Sequence, residues 1–294
     1  MRNLLLAPVL CLILSLPLNG QEPAVEPSGP WTFKGMAGLN FSQVALVNWA
    51  QGGENSQAIN ALMLLNLNYT KGKSAWGNTL DMGYGIQKSG ENPTSKMNDY
   101  IDFISKYGYE TGNKWFISGL FNFKTQFDKG YKGTGDTRTL ISEFMSPGYL
   151  SFNFGMEYKP DDRFYLLLAP IGAKATIVTN DELSAAGAFG VEPGKSFRAE
   201  MGAAVRVMLI RDLMKNVTLT TSADLFSNLL NKPGNIDVSW KALINMKINE
   251  FLSANISTHL LYDDDVDFID FDGTNLGPRI QFKEVLGIGF SVKF

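Results

Sequence analysis

From Trp31 onward the sequence alternates with a period of two, one set of positions apolar and the other polar or small, and helical spacing is nowhere sustained. Between 115 and 128, Trp115, Ile117, Phe121, Phe123 and Phe127 fall on one face, while Ser118, Asn122, Lys124, Gln126 and Asp128 fall on the other. The segment 236–249 sets Val238, Trp240, Ala242, Ile244, Met246 and Ile248 against Ser239, Lys241, Asn245, Lys247 and Asn249. The segment 196–209 repeats the division, with Arg198, Glu200 and Arg206 on its polar face. Strands are expected near 31–47, 58–70, 75–88, 98–110, 114–128, 148–159, 163–177, 196–210, 216–227, 236–249, 251–263 and 280–294.

The connections narrow the class further. Five are tight: Lys71 to Ser74, Thr111 to Asn113, Pro160 to Asp162, Arg211 to Lys215, and the turn at Glu250. The alternate ones, 48–57, 89–97, 129–147, 178–195, 228–235 and 264–279, are longer. A soluble sandwich has no reason to sort its loops this way. A transmembrane barrel does, with short periplasmic turns on one rim and longer external loops on the other, and an even strand number returns both termini to the periplasm. Trp31, Trp76, Tyr84, Tyr109, Trp115, Phe127, Tyr158, Tyr165, Trp240 and Tyr262 lie near strand ends, as interfacial girdles require. The last strand alternates Leu286, Ile288, Phe290, Val292 and Phe294 with Val285, Gly287, Gly289, Ser291 and Lys293, a pattern resembling the C-terminal signal read by the outer-membrane assembly machinery. The expected fold is therefore all-β: a transmembrane antiparallel up-and-down β-barrel of about twelve strands over 31–294, both termini periplasmic. Closure follows from the medium, since an unpaired backbone amide in hydrocarbon costs several kcal/mol.

The first twenty residues hold Arg2 and then the uncharged run LLLAPVLCLILSLPL. It is shorter than the roughly 20 residues of a spanning helix, contains Pro8 and Pro17, and gives way to the polar QEPAVEPSGP. It reads as a secretory signal peptide over 1–20, followed by a short periplasmic segment over 21–30. Cys11, the single cysteine, lies within the signal, so the mature chain has neither disulfides nor thiolate sites. With 26 basic and 29 acidic residues there is no nucleic-acid footprint. The expected surroundings are outer-membrane lipid and lipopolysaccharide, with a small solute or an envelope protein as further partners.

Parity places Lys34, Asp81, Asp102, Lys106, Lys124, Glu157, Lys174, Arg198, Glu200, Arg206, Asp224, Lys241, Lys247 and His259 on the inward face. Basic residues outnumber acidic ones there. Two outcomes stay open: a mixed lumen with a basic bias that favours small anions, or charges that pair across the lumen into a plug.

His259 is the only histidine. Ser257 points the same way two residues earlier, but no G-x-S-x-G elbow accompanies it, and no nucleophile, base and orienter come together. No catalytic residue, cofactor or metal site is expected. Asp263, Asp264, Asp265, Asp267, Asp270 and Asp272 could supply oxygens to Ca²⁺, yet the spacing departs from an EF-hand and the closing Glu is missing, so a solvated external loop is the better reading. Gly52 and Gly53 mark a turn and not a phosphate loop, since no P-loop Lys follows.

The stretch NWAQGGENS from Asn48 to Ser56, with the late YDDDV and GPRIQFKEVLGIGF, resembles an uncharacterised family of exported Bacteroidetes proteins, DUF3078. The resemblance implies an outer-membrane setting and assigns no residue a role. The leading expectation is a small channel or transport-related barrel. The alternative is a non-conducting structural or partner-binding barrel acting through its long external loops, and a lipid-modifying outer-membrane enzyme is the remote third.

Overall fold

A strand that is apolar on one face and polar on the other is stable only where the two faces meet different media, and its backbone edges must be paired on both sides. The computed structural model describes residues 29–46, 54–133, 138–249, 252–269 and 274–293. The expected signal segment over 1–20, most of 21–30, Gly52, Gly53, Glu250, Asp270, Asp272 and Phe294 lie outside them.

In chain order the elements are β1 (Trp31–Val44), β2 (Ser56–Lys71), β3 (Ser74–Ser89), β4 (Ser95–Gly112) and β5 (Trp115–Thr125), then the short β6 (Gly130–Lys132) and β7 (Thr139–Ser142). Next come β8 (Gly148–Asp161), β9 (Phe164–Ile177), α1 (Asp181–Ala185), β10 (Phe197–Met214), β11 (Val217–Asn228), β12 (Asp237–Lys247) and β13 (Leu252–Tyr262). The chain ends with the short β14 (Asp267–Ile269) and β15 (Asn275–Pro278), then β16 (Gln281–Lys293). Twelve strands close into one barrel in the order β1-β16-β13-β12-β11-β10-β9-β8-β5-β4-β3-β2, while β6–β7 and β14–β15 are separate two-stranded sheets in long loops. Every pairing is antiparallel.

The strands match the alternation to within a few residues. β5 ends at Thr125, short of the expected 128, because the backbone N–H groups of Phe127 and Asp128 donate to the Asp99 carboxylate at 2.7 and 2.9 Å. Tight turns and long loops sit on opposite rims, and β1 begins and β16 ends at the tight-turn rim. The turn joining β4 and β5 places Asn113 and Lys114 at φ 50° and 67°, the pair of positive values that a type I′ hairpin requires.

Polarity is inverted relative to a water-soluble protein. Leu286 and Phe290 are 67 and 68% exposed on the outer wall, with Phe33, Phe41, Phe152, Ile171 and Met201 similarly bare, while Asp102, Glu157 and Glu200 are buried inside. Such a continuous apolar exterior suits hydrocarbon. Trp31 stacks between Tyr69 and Trp76, and Trp115 against Tyr158, at the tight-turn rim. Tyr84 meets Phe127 edge-on at the other rim.

Tyr165 corrects the girdle expectation: it is buried and faces inward. The cause is a bulge at Pro170. Gly172 opposes Gly202 and Ala169 opposes Ala204, so one strand gains a residue and the parity of β9 reverses between Tyr165 and Lys174. Proline cannot donate to the ladder and is confined within sheets to such places. The partner position is Gly155, where an added Cβ would lie 2.0 Å from the Leu168 carbonyl oxygen.

Candidate functional site: a lumen crossed by charge

The inward residues form layers. Lys241, His259 and Lys283 are direct cross-strand partners on β12, β13 and β16, so three basic side chains share one level. Asp81, Asp102 and Lys124 are partners on β3, β4 and β5. The two ladders meet across the lumen. Lys241 Nζ donates to Asp102 Oδ2 at 2.9 Å, Asn122 Nδ2 donates to Asp102 Oδ1 at 2.6 Å, and Lys124 Nζ lies 4.0 Å from the same carboxylate. Lys283 Nζ donates to Asn98 Oδ1 on β4 at 2.8 Å, and Asn98 in turn donates to Asn60 on β2.

These contacts constrain the cross-section. β4 and β12 stand six strands apart in either direction round the barrel, which makes them opposite walls. Twelve strands about 4.8 Å apart and tilted by about 40° give a round barrel roughly 24 Å across between Cα atoms. An extended lysine and an aspartate, with their hydrogen bond, reach about 13 Å at single bonds of about 1.5 Å. The wall is therefore drawn in at this level to an oval, and the charge pair occupies its short axis.

Toward the tight-turn rim, Lys106 Nζ donates to Glu157 Oε1 at 2.5 Å and lies 4.0 Å from the Tyr165 ring centroid. Arg206 Nε donates to the Tyr165 hydroxyl at 2.7 Å, and its guanidinium pairs with Asp224 at 3.1 Å. Between these charges sits an apolar cluster of Leu120, Leu167 and Ala169, against which Ile104 and Ala204 pack. Leu120 is 1% exposed and Glu157 2%, so this side of the lumen is filled by side chains.

At the long-loop rim, Lys174 Nζ donates to Asp237 and Asp263, both at 2.7 Å, with Glu200 at 3.8 Å. Arg198 pairs with Glu200 at 2.9 Å and Asp265 at 3.6 Å and donates to the Gly190 carbonyl at 3.2 Å. Its loop carries α1, capped by Asn180 accepting from Leu183 N–H, and a small core of Val178, Leu183 and Val191. Asp264 accepts from Asn235 and Tyr262 and lies 3.6 Å from Lys232. The expected solvated Asp-rich loop is thus corrected in part: Asp263 and Asp265 are tied to basic residues of the wall.

Of the candidates read from parity, Asp81, Asp102, Lys106, Lys124, Glu157, Lys174, Arg198, Glu200, Arg206, Asp224, Lys241 and His259 lie in these layers. Lys34 and Lys247 keep inward register beside Asn66 and Ser253 and lie exposed at the tight-turn rim. His259 Nε2 is 3.1 Å from the Ser239 hydroxyl, and Ser257 is not its partner. Lys283 was missed although it shares parity with Val285 and Gly287. Asn98, Tyr165 and Leu120 were missed because a charge-based search passes over them.

The fold and lining define a class: a transmembrane antiparallel β-barrel of twelve strands with a charged, cross-tied lumen. Residues 41–131 match the model of a family described as "Protein of unknown function (DUF3078)", which bears out the resemblance carried by the stretch from Asn48 to Ser56. Comparison with curated protein sequences finds no match. Among solved structures the chain is similar to the translocator domain of the autotransporter NalP from Neisseria meningitidis, at 11% identity and TM-score 0.35, covering 92% of this chain and 90% of that one. It is similar also to an outer membrane channel from Pseudomonas putida F1, at 9% identity and TM-score 0.40, covering 94 and 100%. A third is OmpT, an outer membrane protein of Vibrio cholerae, at 9% identity and TM-score 0.31, covering 93 and 100%.

Proposed function

We propose that this protein is an outer-membrane barrel closed along its axis in its resting form, so that it acts as a structural or partner-binding barrel through its long loops and not as an open diffusion pore. The observation that carries this reading is the Lys241–Asp102 pair between opposite walls, reinforced by Lys283–Asn98. A hydrated ion moving along the axis has to displace charge-assisted hydrogen bonds, which contribute roughly 1.5–3 kcal/mol each. A second reading, an anion conduit that opens when the ties release, is favoured by the three-residue basic ladder Lys241–His259–Lys283.

Single-channel recording of the refolded protein in planar bilayers tests both. The closed barrel gives no steps as wild type, and removing the cross-ties with Lys241→Ala and Lys283→Ala gives discrete steps. Large, constant steps from the wild type contradict the proposal, and rare anion-selective openings support the second reading.

A further inference from the structure

The barrel closes through its weakest joint. β1 and β16 share only the pairs from Met36↔Lys293 to Asn40↔Gly289, although β1 continues to Val44 and β16 begins at Gln281. On their far sides both strands are paired throughout this stretch, Phe41–Val44 with β2 and Gln281–Phe290 with β13. Among the described residues, then, a gap opens between β1 and β16 on the long-loop side of Asn40. About half of the backbone N–H and C=O groups of Lys283–Ile288 face it, since consecutive residues of an antiparallel strand bond to alternate neighbours.

The outward residues at the gap, Phe41, Leu286 and Ile288, are apolar and exposed. Glu284 has the same outward parity and pairs with Thr258. A charge on the lipid face is tolerated near the interface and not at the midplane, which sets the gap at the depth where headgroups give way to acyl chains. Unpaired backbone groups at such a depth need a polar partner.

On the inner side the gap starts at Gly287, which carries no side chain and has the Asn40 amide beside it; further along β16 stand Lys283 and its cross-strand partner His259, level with Lys241. Two independent features thus meet at one height: a break in the wall lined by apolar residues, and a basic ladder just inside it.

We propose that this gap is a lateral portal that binds an amphiphile with an anionic head and a single apolar tail, the head directed to Lys283 and His259 inside and the tail passing between Phe41 and Ile288 into the bilayer. The head would give Lys283, which bonds the neutral Asn98 amide, an anionic partner, and polar atoms near it would serve the open strand edges. This goes beyond axial closure and does not rest on the Lys241–Asp102 tie, because the path runs sideways through the wall; the two readings share Lys283, which also bonds Asn98.

The test uses the refolded full chain with Cys11→Ser and a twelve-carbon carboxylate bearing a photoactivatable diazirine at its tail, against the matching uncharged alcohol. Expected is saturable labelling of the peptides around Phe41 and Leu286, about tenfold stronger for the carboxylate, as the loss of a charge-assisted contact implies. Lys283→Gln should remove that preference. Ser42→Cys with Gly287→Cys, the positions that continue the observed register, should staple the gap when oxidised and abolish labelling reversibly; a side chain at Gly287 meets only the Asn40 amide at 3.4 Å. Heat-modifiable mobility confirms folding of each variant. Equal labelling by carboxylate and alcohol, or labelling that survives the staple, overturns the portal. Conductance is a separate readout, so failure of the closed-axis reading and failure of the portal are told apart.

Discussion

Asp102 and Lys241 are bonded to each other, yet their removal should differ sharply in effect. Asp102 is 5% exposed and accepts from Asn122 and Lys241 while Lys124 stands 4.0 Å away. Asp102→Ala strips the counter-charge from two lysines at a level that already holds His259 and Lys283, and leaving buried charge uncompensated costs roughly 3–5 kcal/mol. Lys241→Ala removes one charge-assisted hydrogen bond from a carboxylate that keeps Asn122 and Lys124. That loss is worth roughly 1.5–3 kcal/mol, and the lower end applies because the Lys241 side chain is 38% exposed. The aspartate variant should therefore be less stable than the lysine variant by about 2 kcal/mol, and the apolar triple replacement Asp102→Leu with Lys241→Met and Lys124→Met should recover much of the difference. Urea titration of the barrel refolded into vesicles, followed by tryptophan fluorescence, measures all three. A Lys241→Ala loss equal to or larger than that of Asp102→Ala would mean that the lysine, and not the aspartate, holds this layer together.

Two further outcomes are expected. Gly155→Val places a Cβ against the Leu168 carbonyl and the Ala169 Cα, both backbone, so it should destabilise the barrel by about 3 kcal/mol or block refolding, seen as loss of heat-modifiable mobility. Lys174→Met frees Asp237 and Asp263, so limited proteolysis should cut the 263–280 connection faster than in wild type, while Lys174→Arg restores protection; unchanged rates for Lys174→Met would show that the loop is held otherwise.

Much of the wall was legible in the sequence. A strand such as β5 records its two media residue by residue, and the sorting of short and long connections records the two rims. What escaped has specific causes. The Pro170 bulge reverses parity within β9, so Tyr165 was placed outside with the girdle. In the same stretch FYLLLAPI is apolar at successive positions, leaving no alternation from which to place Leu167 inside. The lumen candidates could be found by parity, but their partners could not, because contacts such as Lys241 with Asp102 depend on strand register, barrel shear and the flattening of the section. Lys283 was within reach, since it shares parity with Val285 and Gly287, yet its meaning depends on where the β1–β16 pairing stops, which the sequence does not record.

Charge draws opposite walls of the barrel together, and the distance that reports this is the one between spin labels on the outward positions Phe103→Cys of β4 and Ala242→Cys of β12, in the Cys11→Ser background, measured by pulsed electron resonance. A charge-tied oval gives a backbone separation of about 13 Å plus the label lengths, widening when Asp102 and Lys241 are both replaced by alanine. A separation near the roughly 24 Å of a round twelve-stranded barrel, unchanged by those replacements, would contradict it.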